Sequence, residues 1–323
     1  MTQANFVNVY DRVTNKIIAD LDQGVRPWQK PWSGENAGSR IVRPRRHNGE
    51  PYNGVNVLLL WGASIEKGYL NPTWMTFAQA EQYDARVRKG EKSSFIVYAD
   101  KAKKTETDEQ TGETVEKQIS FVRGYHVFNV EQIEGLPDQF LYQSEFQEDK
   151  TAGQRLEEVD GFIQNTGALI RHGGNRAFYA EGNDYIQMPL IDAFKDSESY
   201  YATLAHETTH WTKHKSRLDR DLGRKDWGDE GYAKEELVAE IGSAFLCADL
   251  GITPEVREDH AAYIDHWLKA LKDDRKLIFS AAAHATRAVD FMKAKQPKLE
   301  PTERPKEVPL PISAKGKQTK LEP

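Results

Sequence analysis

Residues 206–210 read His-Glu-Thr-Thr-His. On a helix, positions i and i+4 share a face, so His206 and His210 can present two imidazoles to one metal ion. Glu207 lies beside them, placed to take a proton from an attacking water as general base. The pattern predicts a metal-dependent hydrolase site of the peptidase kind. The competing reading is a surface helix with two incidental histidines. Residues 199–205 carry apolar groups at helical spacing with no Pro or Gly, and nothing breaks the chain through His214. The motif therefore reads as helical, as its geometry requires.

A catalytic zinc ion takes three protein ligands and keeps a fourth position open. Residues 232–246 form a second helical stretch in which Glu236 and Glu240 share a face, beside an apolar stripe of Leu237, Ile241 and Ala244. Paired acids on a helix are usually solvated. Here they edge an apolar face that follows a metal motif. Glu236 is the expected third ligand. Glu240 is the expected outer carboxylate that accepts from a ligating imidazole, and the two roles are interchangeable at this point. Glu235 points about 100° away from Glu236 and is the weakest of the three acids. Zinc is the expected ion, and manganese also suits an N/N/O donor set. Tyr201 and Tyr232 are candidate oxyanion donors.

Two helices must hold these groups, and the rest of the chain must hold the helices. The sequence has 323 residues, enough for one large domain or two ordinary ones. One cysteine, Cys247, excludes an intramolecular disulfide and any cysteine-rich metal site. The chain shows no basic-then-apolar leader and no apolar run near membrane-spanning length, so a cytoplasmic, membrane-free protein is expected. The net charge is −6, but residues 1–130 carry 18 Lys/Arg against 15 Asp/Glu, a balance of +3. Within it, residues 25–60 hold six basic and two acidic side chains. A local positive stripe on an acidic protein suits a phosphate-binding surface.

Helical spacing over 2–22 puts Phe6, Val9, Val13, Ile17 and Leu21 on one face. A helix follows through Leu58, Leu59 and Trp61. Thr76 and Gln79 predict a capping box. Strands are expected at 94–98 and 118–129 with a charged loop over 101–117, then a helix from Ala152 and short strands ending with Tyr185 to Met188. That last strand is the expected sheet edge on which a peptide substrate could pair. The expected fold class is α+β with two domains. Residues 1–131 form an α+β domain, 132–150 a linker, 151–293 a domain with a small antiparallel sheet followed by the motif helices, and 294–323 a Pro/Lys/Glu-rich disordered tail. In the first domain Arg40, Arg43, Arg45 and Arg46 interleave with Trp28, Trp32, Tyr52, Trp61 and Trp74. Guanidinium groups that track phosphates and flat rings that stack on bases are what single-strand binders need. A solvated loop beside ordinary core tryptophans is the alternative.

The run from His206 through Trp211, then Arg217-Leu218, then Glu235 through Ala248 resembles the metallopeptidase domain of ArdC-type antirestriction proteins, which are encoded on conjugative plasmids and in phage polyvalent proteins. Glu236-x-x-Ala239-Glu240 is similar to the E-x-x-A-D element of gluzincins, with Glu in place of Asp. That likeness implies that Glu236 binds the metal and Glu240 sits behind a ligand. Tyr52 through Asn56, Trp74 through Gln79 and Val87 through Lys92 are similar to the N-terminal domain of the same family, and to a domain of TraC-type plasmid primases. The resemblance implies a zincin-like fold and a domain associated with single-stranded DNA, with Asn53, Asn56, Trp74, Lys89 and Lys92 joining the arginines and Tyr52 as expected contacts. It also implies protection of incoming plasmid DNA from restriction during conjugation, with an unidentified protein substrate or restriction component as partner. The rival is a DNA-binding module whose metal site is structural or catalytically silent.

Overall fold

The computed structural model describes residues 8–28, 42–107, 114–140, 152–223, 230–252 and 261–297. Arg40, Trp32, most of the expected linker and the tail from residue 298 lie outside these ranges. The architecture is α+β in two domains, as the sequence implies.

In the first domain, α1 (Val9–Asp22) buries Val13, Ile17 and Leu21, successive turns of one face. β1 (Arg45–Arg46) precedes α2 (Val55–Lys67). Gly68 ends α2 in the left-handed region at φ 74°, where a side chain would be strained. β2 (Thr73–Met75) leads into α3 (Phe77–Glu81), and the Thr76–Gln79 capping box forms as expected. β3 (Arg86–Val87) pairs with β6 (Ile133–Glu134) inside the segment expected as linker. β4 (Ser94–Thr107) and β5 (Thr114–Asn129) complete a sheet of order β1-β2-β5-β4. Their pairing runs unbroken from Ser94↔Val127 to Thr107↔Thr114. The charged loop expected over 101–117 is thus mostly paired strand. A charged run reads alike in a loop and in a strand until cross-strand backbone pairing decides.

The second domain holds α4 (Ala152–Thr166), then β7 (Leu169–His172), β8 (Phe178–Ala180) and β9 (Tyr185–Met188), then α5 (Ser197–Trp211), α6 (Glu230–Leu250), α7 (Ala261–Asp273) and α8 (Leu277–Ala294). The sheet order is β7-β9-β8. β9 is therefore central, parallel to β7 and antiparallel to β8, and is not the edge strand that the sequence suggested. β8 is the edge that also packs on α5.

The two domains share one apolar core. Trp28 meets Trp267 edge-on at 5.9 Å, and Trp61 meets Phe245 at 5.8 Å. Gly54 N–H donates to Thr286 Oγ1 at 3.0 Å. α6 lies between α5 and α8 and is buried along most of its length. No helix among the described residues is long and apolar enough to cross a membrane.

Candidate metal centre

α5 starts at Asp196, whose carboxylate accepts the Ser199 N–H at 2.8 Å. Every residue from Ser199 to Trp211 is buried, so the motif lies in a core helix and not on a surface one. Buried threonines satisfy themselves inside the helix: Thr208 and Thr209 donate to the carbonyls of Leu204 and Ala205 at 2.6 and 2.8 Å. α6 crosses α5 at Gly242. A Cβ there would meet Thr209 Cγ2 at 2.6 Å, so the missing side chain sets how closely the helices approach.

This crossing brings the predicted residues together. His206 Nε2 and His210 Nε2 lie 3.1 Å apart. Glu236 places Oε2 3.5 Å from the first and Oε1 3.5 Å from the second. The three residues offer ligand atoms that all lie within 4.8 Å of one another. Behind them, Glu240 Oε1 faces His206 Nδ1 at 3.2 Å, and Glu235 Oε1 faces His210 Nδ1 at 3.0 Å. Arg220 grips Glu235 with a fork, Nε to Oε2 at 2.8 Å and Nη2 to Oε1 at 2.7 Å. The fork's remaining hydrogens reach Thr212 Oγ1 and Thr209 O, both at 3.0 Å.

Ionised carboxylates only accept, so Glu235 and Glu240 fix the ring protons on Nδ1. Both Nε2 lone pairs then point inward at each other and at the Glu236 carboxylate. Three electron-rich groups converging in a buried space require a positive charge between them. The donor set, two imidazole nitrogens and a carboxylate, fits a divalent ion with one position left open. The charges agree. Burial lowers the His210 pKa, but Glu236 and Glu235 more than offset it and hold it above its ordinary value. Burial raises Glu236, yet the two histidines bring it well below the usual carboxylate range. Glu235, also opposed by burial, is pulled to about 2 by Arg220 and His210. Metal and proton compete for this site.

Glu207 is buried on α5 next to His206. Tyr232 is half-buried one helical turn before Glu236, on the same face of α6. Tyr201 is not brought to the cluster. It sits about 140° around α5 from His206. Burial and a hydrogen bond to Asp160 of α4 raise its hydroxyl pKa above the ordinary value. Sequence reasoning ranked Glu235 the weakest of the three acids and did not mark Arg220, yet both belong to the site. The adjacent acids Glu235-Glu236 were the one available signal, since they can serve two rings at once when a helix crosses above them.

The expected DNA contacts separate into two groups. Arg43 is 3% exposed, with Nε 3.3 Å from Asp249 Oδ1 and its guanidinium 4.7 Å from the Phe245 ring. Trp74 is fully buried and Tyr52 nearly so. Asn56 is committed to β4, accepting the Val97 N–H at 2.8 Å and donating to its carbonyl at 2.7 Å. These four hold the fold and cannot reach a strand on the surface. Arg45, Arg46, Asn53, Lys89 and Lys92 remain exposed. Asn53 nonetheless accepts from Arg43 at 3.0 Å.

Residues 157–284 match the family model of zincin-like metallopeptidases, and residues 7–128 that of the N-terminal domain of the anti-restriction factor ArdC. The metal-free crystal structure of the antirestriction ArdC protein from the R388 plasmid is 45% identical, with a TM-score of 0.74 over 89% of this chain and 97% of that one. The Mn(II)-bound structure of the ArdC protein from R388 gives a TM-score of 0.72 at 43% identity, over 89% and 98%. The uncharacterized protein y4eC of Sinorhizobium fredii (strain NBRC 101917 / NGR234) is 38% identical over 90% of this chain and 92% of its own length. A DNA primase TraC of Escherichia coli is 40% identical over 88% of this chain but only 27% of the primase, so the chain spans about a quarter of that protein. With both domain models matched in order and these relatives aligned over nearly nine-tenths of its length, the chain belongs to the ArdC family of antirestriction proteins.

Proposed function

We propose that this protein binds single-stranded DNA through its N-terminal domain and carries a divalent-metal peptidase site in its zincin-like domain. In the cell it would protect incoming plasmid DNA from host restriction during conjugation. The observation that carries the catalytic half is the convergence of His206 Nε2, His210 Nε2 and Glu236, each ring backed by its own carboxylate. His206, His210 and Glu236 would hold the ion, with zinc the first choice; the Mn(II)-bound R388 structure makes manganese the second. Bound there, a divalent ion supplies Lewis acidity toward a carbonyl and lowers the pKa of water.

The chain's own groups do the rest. Glu207 takes the proton of the water that attacks the scissile carbonyl, then returns it to the leaving amine. Glu235 and Glu240 keep both rings in the Nδ1–H tautomer. Tyr232, one turn from Glu236, is the hydroxyl best placed on its helix to donate to the developing oxyanion. A peptide in extended form would pair with β8, the open edge beside α5. The DNA half of the reading rests on the match to the ArdC N-terminal domain and on the exposed Arg45, Arg46, Lys89 and Lys92.

The test is Glu207→Gln, which leaves all three ligands in place. Unmodified plasmid is transferred into a restricting host carrying either form. Loss of protection with metal content unchanged supports the peptidase reading. Full protection by the variant overturns it and leaves a DNA-binding protein whose metal site is silent.

A further inference from the structure

Two tyrosines of the β4–β5 ribbon stand out as large apolar side chains left in solvent. Tyr98 is 48% and Tyr125 43% exposed, and their rings meet edge to face at 5.9 Å and 86°. The strand register pairs Tyr98 with Arg123 and Tyr125 with Ile96. Directly opposed residues share a face of an antiparallel pair, so Tyr98, Arg123 and Tyr125 stand together on one face, beside Ile96, which is buried at the base of the ribbon. On the opposite face the Arg12 guanidinium of α1 lies 3.9 Å over the Phe95 ring, and Phe95 fills the space where a Gly124 side chain would stand. α1 thus packs on that face, and Asn56 of α2 bonds the outer backbone edge of β4 at Val97.

We infer that Tyr98 and Tyr125, with Arg123 beside them, form the base-stacking platform for single-stranded nucleic acid in this protein. The inference rests on the DNA-binding reading and names the residues that carry it. Tyrosine and arginine serve protein interfaces too; here the match to the ArdC N-terminal domain and the exposed basic residues of that domain favour a nucleic acid. Flat rings take bases of any sequence, and the arginine takes the phosphate between them. A base lying on the open face of either ring leaves the edge-to-face pair intact.

The probe is a fluorescently labelled oligothymidylate, titrated against the full chain at several salt concentrations. Tyr98→Ala and Tyr125→Ala should each weaken binding about tenfold, the size of one base–ring stack, at an unchanged salt slope. Tyr98→Phe and Tyr125→Phe should bind like wild type, since stacking needs the ring and not the hydroxyl. Arg123→Ala should lower the salt slope by about one. Circular dichroism and metal content of the same variants report folding independently. If wild type binds and the double alanine variant binds equally well, the platform is wrong while DNA binding stands. If wild type shows no affinity for the oligonucleotide, the DNA reading fails and the platform with it. If the alanine variants instead change the molecular mass in solution, the face is a contact between copies and the inference is overturned.

Discussion

Arg220 holds the Glu235 carboxylate in a two-point grip, 2.7 and 2.8 Å long, deep inside the protein. The same carboxylate orients His210, whose other nitrogen faces His206 Nε2 and the Glu236 carboxylate. The guanidinium is 1% and the carboxylate 5% exposed, so neither charge has water to turn to. Arg220→Ala should cost about 3–5 kcal/mol in urea unfolding because it strands a buried carboxylate. It should also weaken metal binding about 10- to 100-fold by calorimetry, through the loosened imidazole. Arg220→Lys cannot form the fork and should fall between. A variant that loses stability but binds metal like wild type would separate Arg220 from the site.

Gly242 makes a second prediction. Gly242→Ala pushes Thr209 Cγ2 or the α6 backbone aside, because the added methyl would sit 2.6 Å from it. Thr209 is β-branched and bonded through Oγ1 to the Ala205 carbonyl, so it has little freedom to turn. The expected cost is about 1–3 kcal/mol in thermal or urea unfolding. Glu236 and Glu240 ride on the same helix, so metal affinity should fall with it.

The two groups of arginines should behave differently. Arg43→Ala should destabilise the protein by about 1–3 kcal/mol, since it removes a buried guanidinium packed on Phe245 and Asp249 while Lys293 stays on Asp249 at 2.7 Å, and should leave the salt dependence of DNA binding unchanged. Arg45→Ala and Arg46→Ala should leave stability within about 0.5 kcal/mol and each lower the salt slope by about one. Paired unfolding and fluorescence-anisotropy titrations distinguish these outcomes.

A pH dependence follows from the clamp that ties the β8–β9 turn to the end of α5. Arg217 bonds both oxygens of Asp184, Tyr179 donates to it at 2.8 Å, and the Arg217 guanidinium lies 4.0 Å over Trp211. The hydrogen bonds from Arg217, opposed by burial and helped by Tyr179, pull the Asp184 carboxyl from 3.8 to about 2. The folded value is the lower one, so the clamp contributes fully above about pH 4 and is lost as pH falls toward 2. Asp184→Asn should lower the urea midpoint at pH 6. The gap to wild type should narrow below about pH 4 and close near pH 2.

What could be read from the sequence was local. The histidine pair, the Thr76–Gln79 box and the Glu236–Glu240 face depend on spacing within one helix, and the structure forms each of these elements. What could not be read depends on packing. Glu235 points away from Glu236 on α6, and only the crossing of α5 above it gives its carboxylate a ring of its own. Arg220 sits in an irregular segment with no periodicity to mark it. Arg43 looked like a surface charge because its partner, Asp249, lies at the far end of the chain's core helix. The order β7-β9-β8 is set by tertiary pairing, so the strand nearest the motif in sequence proved to be central.

If His206, His210 and Glu236 hold one divalent ion, each of the three is needed to retain it. The direct measurement is metal content by mass spectrometry of protein purified without chelator and then desalted, for wild type, His206→Ala, His210→Ala and Glu236→Ala. About one ion per wild-type chain is expected, with a loss to near background in all three variants while circular dichroism stays native. Wild-type protein without metal after zinc or manganese loading, or variants that keep it, would rule out a metal centre at these three residues.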